Sequence, residues 1–483
     1  MRNIIKASIL FILTLTAIAS CTDYDDEIQS PIQNFIWKGL NLYYLYQPQV
    51  PDLSDDKFST QKNLDDFLST KGSPENLFES LIYNRKNIDK YSVIFSNYVE
   101  LEQILSGNSK SNGLEIGFTY KNTTTNEVFG FIKYVMPNSD ASSKPIQRGT
   151  IFYGINGVAM TQDRTTKQNN FSQPLNNDTY TINLADYDNG NITPNGQSIT
   201  FTKTDYSENP VFYKNVYTVG AKKVGYLIYN GFYSNYETEL NNAFAYFKGE
   251  GVTDFVLDLR YNSGGSIDTA TRLGSMITGQ FAGQVFSEQQ WNTKIQPQFS
   301  ANQLQNLFLN TLKNGAALNS IGMTKVYILT TSRTASASEL VMNCLKPYVN
   351  VVQIGVKTTG KNVGSITMYD SPNFSKKGAN PNHTYAMQPI VLKTVNKIGF
   401  GDYATGIDPD ISNILPENYG NLGQLGDVSE PLLAKALNLA TLRIGNQTQN
   451  YKIYNEIFDN SVRDLDSEMY LDNYPEGLAK ILK

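Results

Sequence analysis

From about residue 220 the chain alternates short apolar runs with stretches of helical spacing, and this rhythm limits the folds open to it. VGYLIY (Val224 to Tyr229) reads as a strand, and Leu240, Ala243, Phe244 and Phe247 then mark one helical face at i, i+3, i+4 and i+7. DFVLDLRY (Asp254 to Tyr261) is a second strand, running into Asn262-Ser263-Gly264-Gly265-Ser266 and a helix from Ile267. KVYILTT (Lys325 to Thr331) and VNVVQIG (Val349 to Gly355) supply two more strands around a further helix. Repeated βαβ units predict an α/β core with its functional loops at strand ends. At 483 residues, 40% hydrophobic and 18% charged, the chain has room for two to four domains. A net charge of -5 gives no basic footprint for a phosphate backbone, so nucleic acid is not expected as a partner.

The first residues, MRNIIKASILFILTLTAIASC, carry two early cations and an apolar stretch too short for a spanning helix, the pattern of an export signal. Ile18-Ala19-Ser20-Cys21 resembles a bacterial lipobox, in which lipid on Cys21 would anchor the mature chain to a membrane. The only other cysteine is Cys344, a packed thiol in an expected helix. The acidic run DYDDE after Cys21 resembles the surface-export signals of some Gram-negative lipoproteins. Residues 22 to about 105 read as a small, mainly helical domain, and β-prone runs punctuated by Gly, Pro and Asn read as a β-rich module ending near Tyr206.

TASASELV (Thr334 to Val341) places Ser336 at a sharp strand-to-helix turn. Ser336 with Glu339 fits a capping box, but the same turn would expose a hydroxyl beside unpaired helix N–H groups, so cap and nucleophile both remain open. A nucleophile needs a base, and the chain holds one histidine, His383, in the turn-like PNPNHTY, which reads as an exposed loop residue. A histidine-rich metal site is ruled out by that count, no metal or cofactor is expected, and lysine becomes the leading base. Lys361, in GVKTTGKN (Gly355 to Asn362), lies in a Gly-rich loop after a strand. That stretch also matches most of a phosphate-binding P-loop, but Asn362 stands where a magnesium-binding hydroxyl belongs, and VGSITMYD is β-prone where the helix should begin.

Together, TASASE and GKNVG resemble the C-terminal processing (tail-specific) peptidases, and so, in order, do DLRYNSGG (Asp258 to Gly265) and GIDPD (Gly406 to Asp410). GLEIGF (Gly113 to Phe118), with SDA, IQRG and INGV, resembles the PDZ module such proteases carry upstream. The resemblance implies a ClpP/crotonase-like α/β protease core of βαβ units, a small β-rich PDZ-like module and a helical N-terminal domain. It implies a serine endopeptidase with Ser336 as nucleophile, Lys361 as general base, and an oxyanion hole from the N–H of Ala337 with one from Gly264 or Gly265. It further implies that Gly113, Leu114, Ile116, Gly117 and Phe118 receive the free C-terminus of a protein or peptide substrate, with β-augmentation along the following strand edge.

The chain departs from the family pattern in places. Ser365 stands where a Gln often orients the lysine, Thr334 replaces a usual Ser, and Thr150 replaces a frequent Asp. Lys357 is a less favourable substitute base. The expected organisation is a signal peptide at 1–20, tether and helical domain at 21–105, PDZ-like domain at 106–206, peptidase core at 207–430 and a C-terminal helical segment at 431–483. The expected location is the bacterial cell envelope, lipid-anchored to the outer membrane and surface-exposed. The alternative of a different class is a catalytically silent surface lipoprotein that binds peptide or glycan, which would need an aromatic platform and no Ser336/Lys361 pair.

Overall fold

The computed structural model describes residues 31–441, 456–457 and 469–472. The expected signal and Cys21 lie outside the described residues. Among those described, no helix is long and apolar enough to cross a membrane.

Apolar residues at helical spacing build Pro31–Tyr43, where Phe35, Ile36, Leu40 and Tyr43 are buried, and QPQVPDL then turns into two short 3-10 segments that end it. Helices Gln61–Ser69 and Pro74–Leu81 follow, their first turns capped by Thr60 and Ser73. These helices do not form a core of their own. Phe35, Leu40 and Leu77 belong to the same buried cluster as Leu240, Phe244, Leu340 and Met387, so the N-terminal helices and the α/β core bury one continuous apolar interior.

The β-rich module is present as a sheet of Leu114–Tyr120, Val128–Val135, Ile151–Ile155, Thr179–Asp188 and Asn191–Thr202 in that order, all neighbours antiparallel. It has its own apolar cluster, with Phe118, Ile132, Phe152 and Phe201 at its centre. Beyond it, Val211–Val219 pairs antiparallel with Lys222–Tyr229, and Asp254–Asp258, Lys325–Thr330 and Asn350–Gly355 add in parallel, as the βαβ rhythm predicts. Helix Glu237–Glu250 buries Leu240, Ala243, Phe244 and Phe247 on one face, the four residues singled out by their spacing.

A second sheet runs Gly265–Ser266, Met469–Tyr470, Val363–Ser365, Ile390–Asn396, Val285–Trp291 and Gln305–Leu307. Its second strand comes from the far end of the chain. This corrects the expected helical segment at 431–483: Pro431–Ala440 is a helix, but 469–470 is a strand and Glu456 forms a β-bridge with Thr119. Two residues carry too little periodicity to announce a strand, and their partners are remote in sequence.

Candidate active site

The Lys325–Thr330 strand leaves the sheet at its C-terminal end, and helix Ala337–Leu345 begins seven residues later with Ser336 as its N-cap. Ser336 has φ +61°, a left-handed conformation that costs a non-glycine residue free energy and persists only where its surroundings enforce it. Hydrogen bonds from the neighbouring residues enforce it here. Ala335 N–H donates to Asn262 O (3.2 Å), Ser338 Oγ to the same carbonyl (3.0 Å), and Thr334 Oγ1 to Leu259 O (2.8 Å). Asn262 is held in turn by its Nδ2 donating to Tyr229 O at 2.7 Å. The serine turn is thus stitched to the DLRYNSGG strand and loop along its length.

Beneath that loop, Arg260 is fully buried and answers three carboxylates. Its guanidinium meets Asp258 at 2.8 Å, Glu430 through two parallel bonds of 2.8 and 2.9 Å, and Glu417 at 3.5 Å. Bidentate pairing fixes direction as well as energy, so the strand carrying Gly264 and Gly265 has a set orientation. Gly264 lies directly against the serine: a Cβ there would stand 2.6 Å from Ser336 Cβ and 3.1 Å from Ala337 N. With φ +125° as well, only glycine fits.

Glu339 joins the serine to the lysine. Its Oε2 accepts from Ser336 N–H and from Lys361 N–H, both at 2.8 Å, while Oε1 accepts from Gly360 N–H at 2.7 Å and Thr358 Oγ1. Burial pushes the Glu339 carboxyl up from its ordinary 4.5, and the hydrogen bonds from Thr358, Lys361, Ser336 and Gly360 offset only part of that. In the sequence Glu339 stands out only as the third residue of a capping box. Only half of that box is closed: Ser336 N–H donates to Glu339 Oε2, while Ser336 Oγ is buried with no hydrogen-bond partner.

Ser336 and Lys361 are both fully buried and share Glu339 through their backbones, yet Oγ and Nζ are not hydrogen-bonded to each other. Lys361 Nζ lies 4.5 Å from the Tyr91 ring centroid, a contact supplied by the N-terminal region. Lys361 opens directly into Val363–Ser365, a strand where a P-loop would require a helix, which removes the nucleotide-binding alternative. GIDPD braces the same loop: Thr358 N–H donates to Ile407 O at 3.1 Å and Ile407 N–H to Thr358 Oγ1 at 2.7 Å. Ser365 is fully buried and its Oγ donates to Met469 O at 3.3 Å.

Other candidates are placed as follows. Ala337, the first helical residue, has an N–H with no intrahelical acceptor. Gly264 N–H donates to Asn262 Oδ1 at 2.9 Å, and Gly265 is paired in parallel with Met469, so both glycines of the expected oxyanion donor pair are engaged in the fold. Lys357 is exposed and paired with Asp408 at 3.1 Å. His383 corrects the expectation of an exposed residue: it is half-buried, its Nε2 lies 2.9 Å from Asp370 Oδ2, and its Nδ1 accepts from Tyr385 N–H. Its ring is committed to Asp370 and Tyr385. Leu114–Tyr120 is a strand whose Leu114, Gly117 and Phe118 are buried and whose Ile116 is half-buried. The N–H groups of Gly113 and Leu114 donate to Ser111 Oγ and Asn112 Oδ1, so receiving a terminal carboxylate would require exchanging those bonds. Among the described residues there is no cluster of metal-ligating side chains.

Comparison with known proteins gives a consistent picture. Peptidase family S41 matches residues 223–412, and the peptidase S41 N-terminal domain matches residues 31–93. A protein of Staphylococcus epidermidis named "Probable CtpA-like serine protease" is 29% identical over 253 residues, 52% of this chain and 46% of the relative. One of the same name from Staphylococcus aureus is 27% identical over 254 residues, 50% of this chain and 44% of the relative. The chain thus spans about half the length of the curated relatives it matches. A crystal structure from Bacteroides fragilis NCTC 9343, named for an S41 protease, is 26% identical with a TM-score of 0.64, covering 85% of this chain and 98% of the other. These matches make the 223–412 region similar to peptidase family S41 and the 31–93 region similar to the N-terminal domain of such peptidases.

Proposed function

We propose that the protein is a serine endopeptidase that cleaves protein or peptide substrates near their C-termini, with Ser336 as nucleophile and Lys361 as general base. The observation that carries this reading is the shared acceptor, Glu339 Oε2, which draws the backbones of Ser336 and Lys361 onto one atom at 2.8 Å each. Nothing about helix capping requires a lysine loop at that carboxylate.

The chemistry follows from the groups present. As general base, Lys361 would take the Ser336 Oγ proton as the oxygen attacks a peptide carbonyl. Negative charge then develops on the carbonyl oxygen, where Ala337 N–H with one N–H from Gly264 or Gly265 would be the donors, each worth about 3 kcal/mol of transition-state stabilisation. Collapse releases the amine, which takes the proton from Lys361, and leaves an acyl-serine for water to hydrolyse. Alignment of Oγ with Nζ is left to the substrate complex, since catalytic hydrogen bonds tighten on binding. The leader and Cys21 give the enzyme a lipid anchor in the cell envelope, at the outer membrane and facing outward.

Incubating the full-length protein with peptides bearing free C-termini and sequencing the products by mass spectrometry tests the reading. Cleavage that is absent in Ser336→Ala and has an alkaline limb in kcat/KM supports it. Turnover unaffected by that substitution would remove Ser336 as the nucleophile, and no turnover of any peptide with binding retained would select the silent binding protein instead.

A further inference from the structure

Two short pieces of the chain's distal end pair with the strands around the candidate site. Glu456 bridges antiparallel to Thr119, and Ile457 N–H donates to Phe118 O at 2.8 Å, so the outer edge of the Leu114–Tyr120 strand is already paired. Ile457 is 7% exposed and lies in the cluster of Leu114, Phe118 and Ile132. Backbone pairing with one apolar side chain buried beside it is how a sheet edge takes up an added peptide strand.

The Glu456 side chain is more telling. It is buried between two cations on different parts of the molecule: Lys133 Nζ at 2.8 Å, from the β-rich module, and Arg333 Nε at 3.0 Å, three residues before Ser336. Lys133 is 1% exposed; its other carboxylate neighbour, Glu115, lies at 3.5 Å, and its ammonium sits 5.5 Å from the Tyr261 ring centroid. Burying such a cation is costly unless a carboxylate meets it. The second piece runs between the two motif strands. Met469 pairs in parallel with Gly265, Tyr470 pairs with Ser266 and with Ser365, and Leu471 N–H donates to Ser365 O at 3.1 Å. It therefore separates the glycine strand from the strand that follows Lys361, and Ser336 beneath is sealed from solvent.

We propose that residues 456–457 and 469–472 act as an intramolecular peptide in the substrate's place, and that Lys133 with Arg333 is a carboxylate-reading subsite that Glu456 fills until an acidic peptide displaces it. The proposal deepens the peptidase reading and rests on it only for what a bound peptide meets next. Substrates are then selected for an acidic residue followed by an aliphatic one, Glu456-Ile457 being the internal copy.

The test reads binding, so it is independent of turnover. The full-length Ser336→Ala protein is titrated into a fluorescein-labelled peptide copying residues 454–458 (Tyr-Asn-Glu-Ile-Phe) and into its Gln counterpart. With two charge-assisted contacts at stake, the Glu peptide should bind about tenfold more tightly than the Gln peptide. Adding Glu456→Gln should tighten the Glu peptide about tenfold, and adding Arg333→Gln should erase the preference. A second arm covers misfolding of the Gln variants. Thr119→Cys with Glu456→Cys places a disulfide across the bridged pair; oxidised, the protein should not bind the peptide, and reduction should restore binding. Equal affinity with and without Glu456→Gln, or equal binding by the oxidised and reduced forms, would overturn the proposal and leave these residues as the last strands of the fold. Failure to hydrolyse any peptide would count against the peptidase reading and leave this test intact.

Discussion

Glu339 and Glu456 are both buried carboxylates at the edges of the same site, and they are held in opposite ways. Glu339 is surrounded by neutral donors, three backbone N–H groups and one hydroxyl, and burial pushes its carboxyl up. For Glu456 burial acts in the same direction, but Lys133 and Arg333 outweigh it and hold the carboxyl below its ordinary 4.5. The difference separates a scaffold from a docked element. Glu339 fixes the backbone of its own helix and of a loop that packs on it, with bonds that have no competitor. Glu456 pairs with cations that any carboxylate could satisfy, and its backbone pairing could be offered by any extended peptide.

The sharpest challenge to this contrast is removal of the chemistry that the scaffold serves. Ser336→Ala and Lys361→Ala should each lower kcat/KM by roughly four orders of magnitude or more, with the double variant little worse than either, because residues that act as a unit are strongly non-additive. His383→Ala should stay within about twofold, since its ring is committed to Asp370 and Tyr385. Near-normal turnover by Lys361→Ala would end the Ser-Lys mechanism.

Next in size is Glu339→Gln. An amide in that place presents N–H to groups that are themselves donors, so at least one of the four bonds must be lost and a buried donor left unpaired, at about 1–3 kcal/mol. The expected result is a fall in kcat of about a hundredfold with KM changed by less than about threefold, because the damage lies in the relation of Ser336 to Lys361 and not in the strand edge that binds peptide. A variant that raised KM alone would place Glu339 in substrate binding and break the distinction.

The same contrast explains what the sequence discloses. Ser336, Lys361 and the Gly264-Gly265 turn are legible because their signals are local: a cap beside an apolar strand, a lysine among glycines, and two glycines, each at a position where a Cβ would stand 2.6 Å from a neighbouring atom. The βαβ core is legible because each of its strands and helices is long enough to carry periodicity. The bridges at 456–457 and 469–470 are not, because a two-residue pairing has no pattern and its partners Thr119 and Gly265 lie far back in the chain. Tyr91 over Lys361 Nζ is invisible for the same reason, as is the merging of the N-terminal helices into the main core. Glu339 is visible in the sequence only in a lesser role, since proximity to Ser336 suggests a helix cap, and only the folded loop brings Lys361 N–H to the same oxygen.

The smallest effect expected is also the most direct reading of the two carboxylates, because their opposite shifts give opposite pH slopes. Glu456 is more acidic folded than unfolded, so below about 4.5 the unfolded chain binds more protons; its stabilisation is present above that pH and is lost as pH falls through the folded value. Glu339 is less acidic folded than unfolded, so from about 4.5 upward the folded chain holds the extra proton; stability declines as pH rises from there through the folded value and levels off beyond it. Urea midpoints of the full-length protein, measured from acid to neutral pH, resolve the two contributions by difference against variants. Glu456→Gln should make the loss of stability on the acid side shallower and leave the decline above 4.5 in place. Glu339→Gln should flatten that decline and leave the acid side as it was. If both substitutions changed the same limb, the two carboxylates would share one environment, and the division between a fixed scaffold and a displaceable occupant would have to be abandoned.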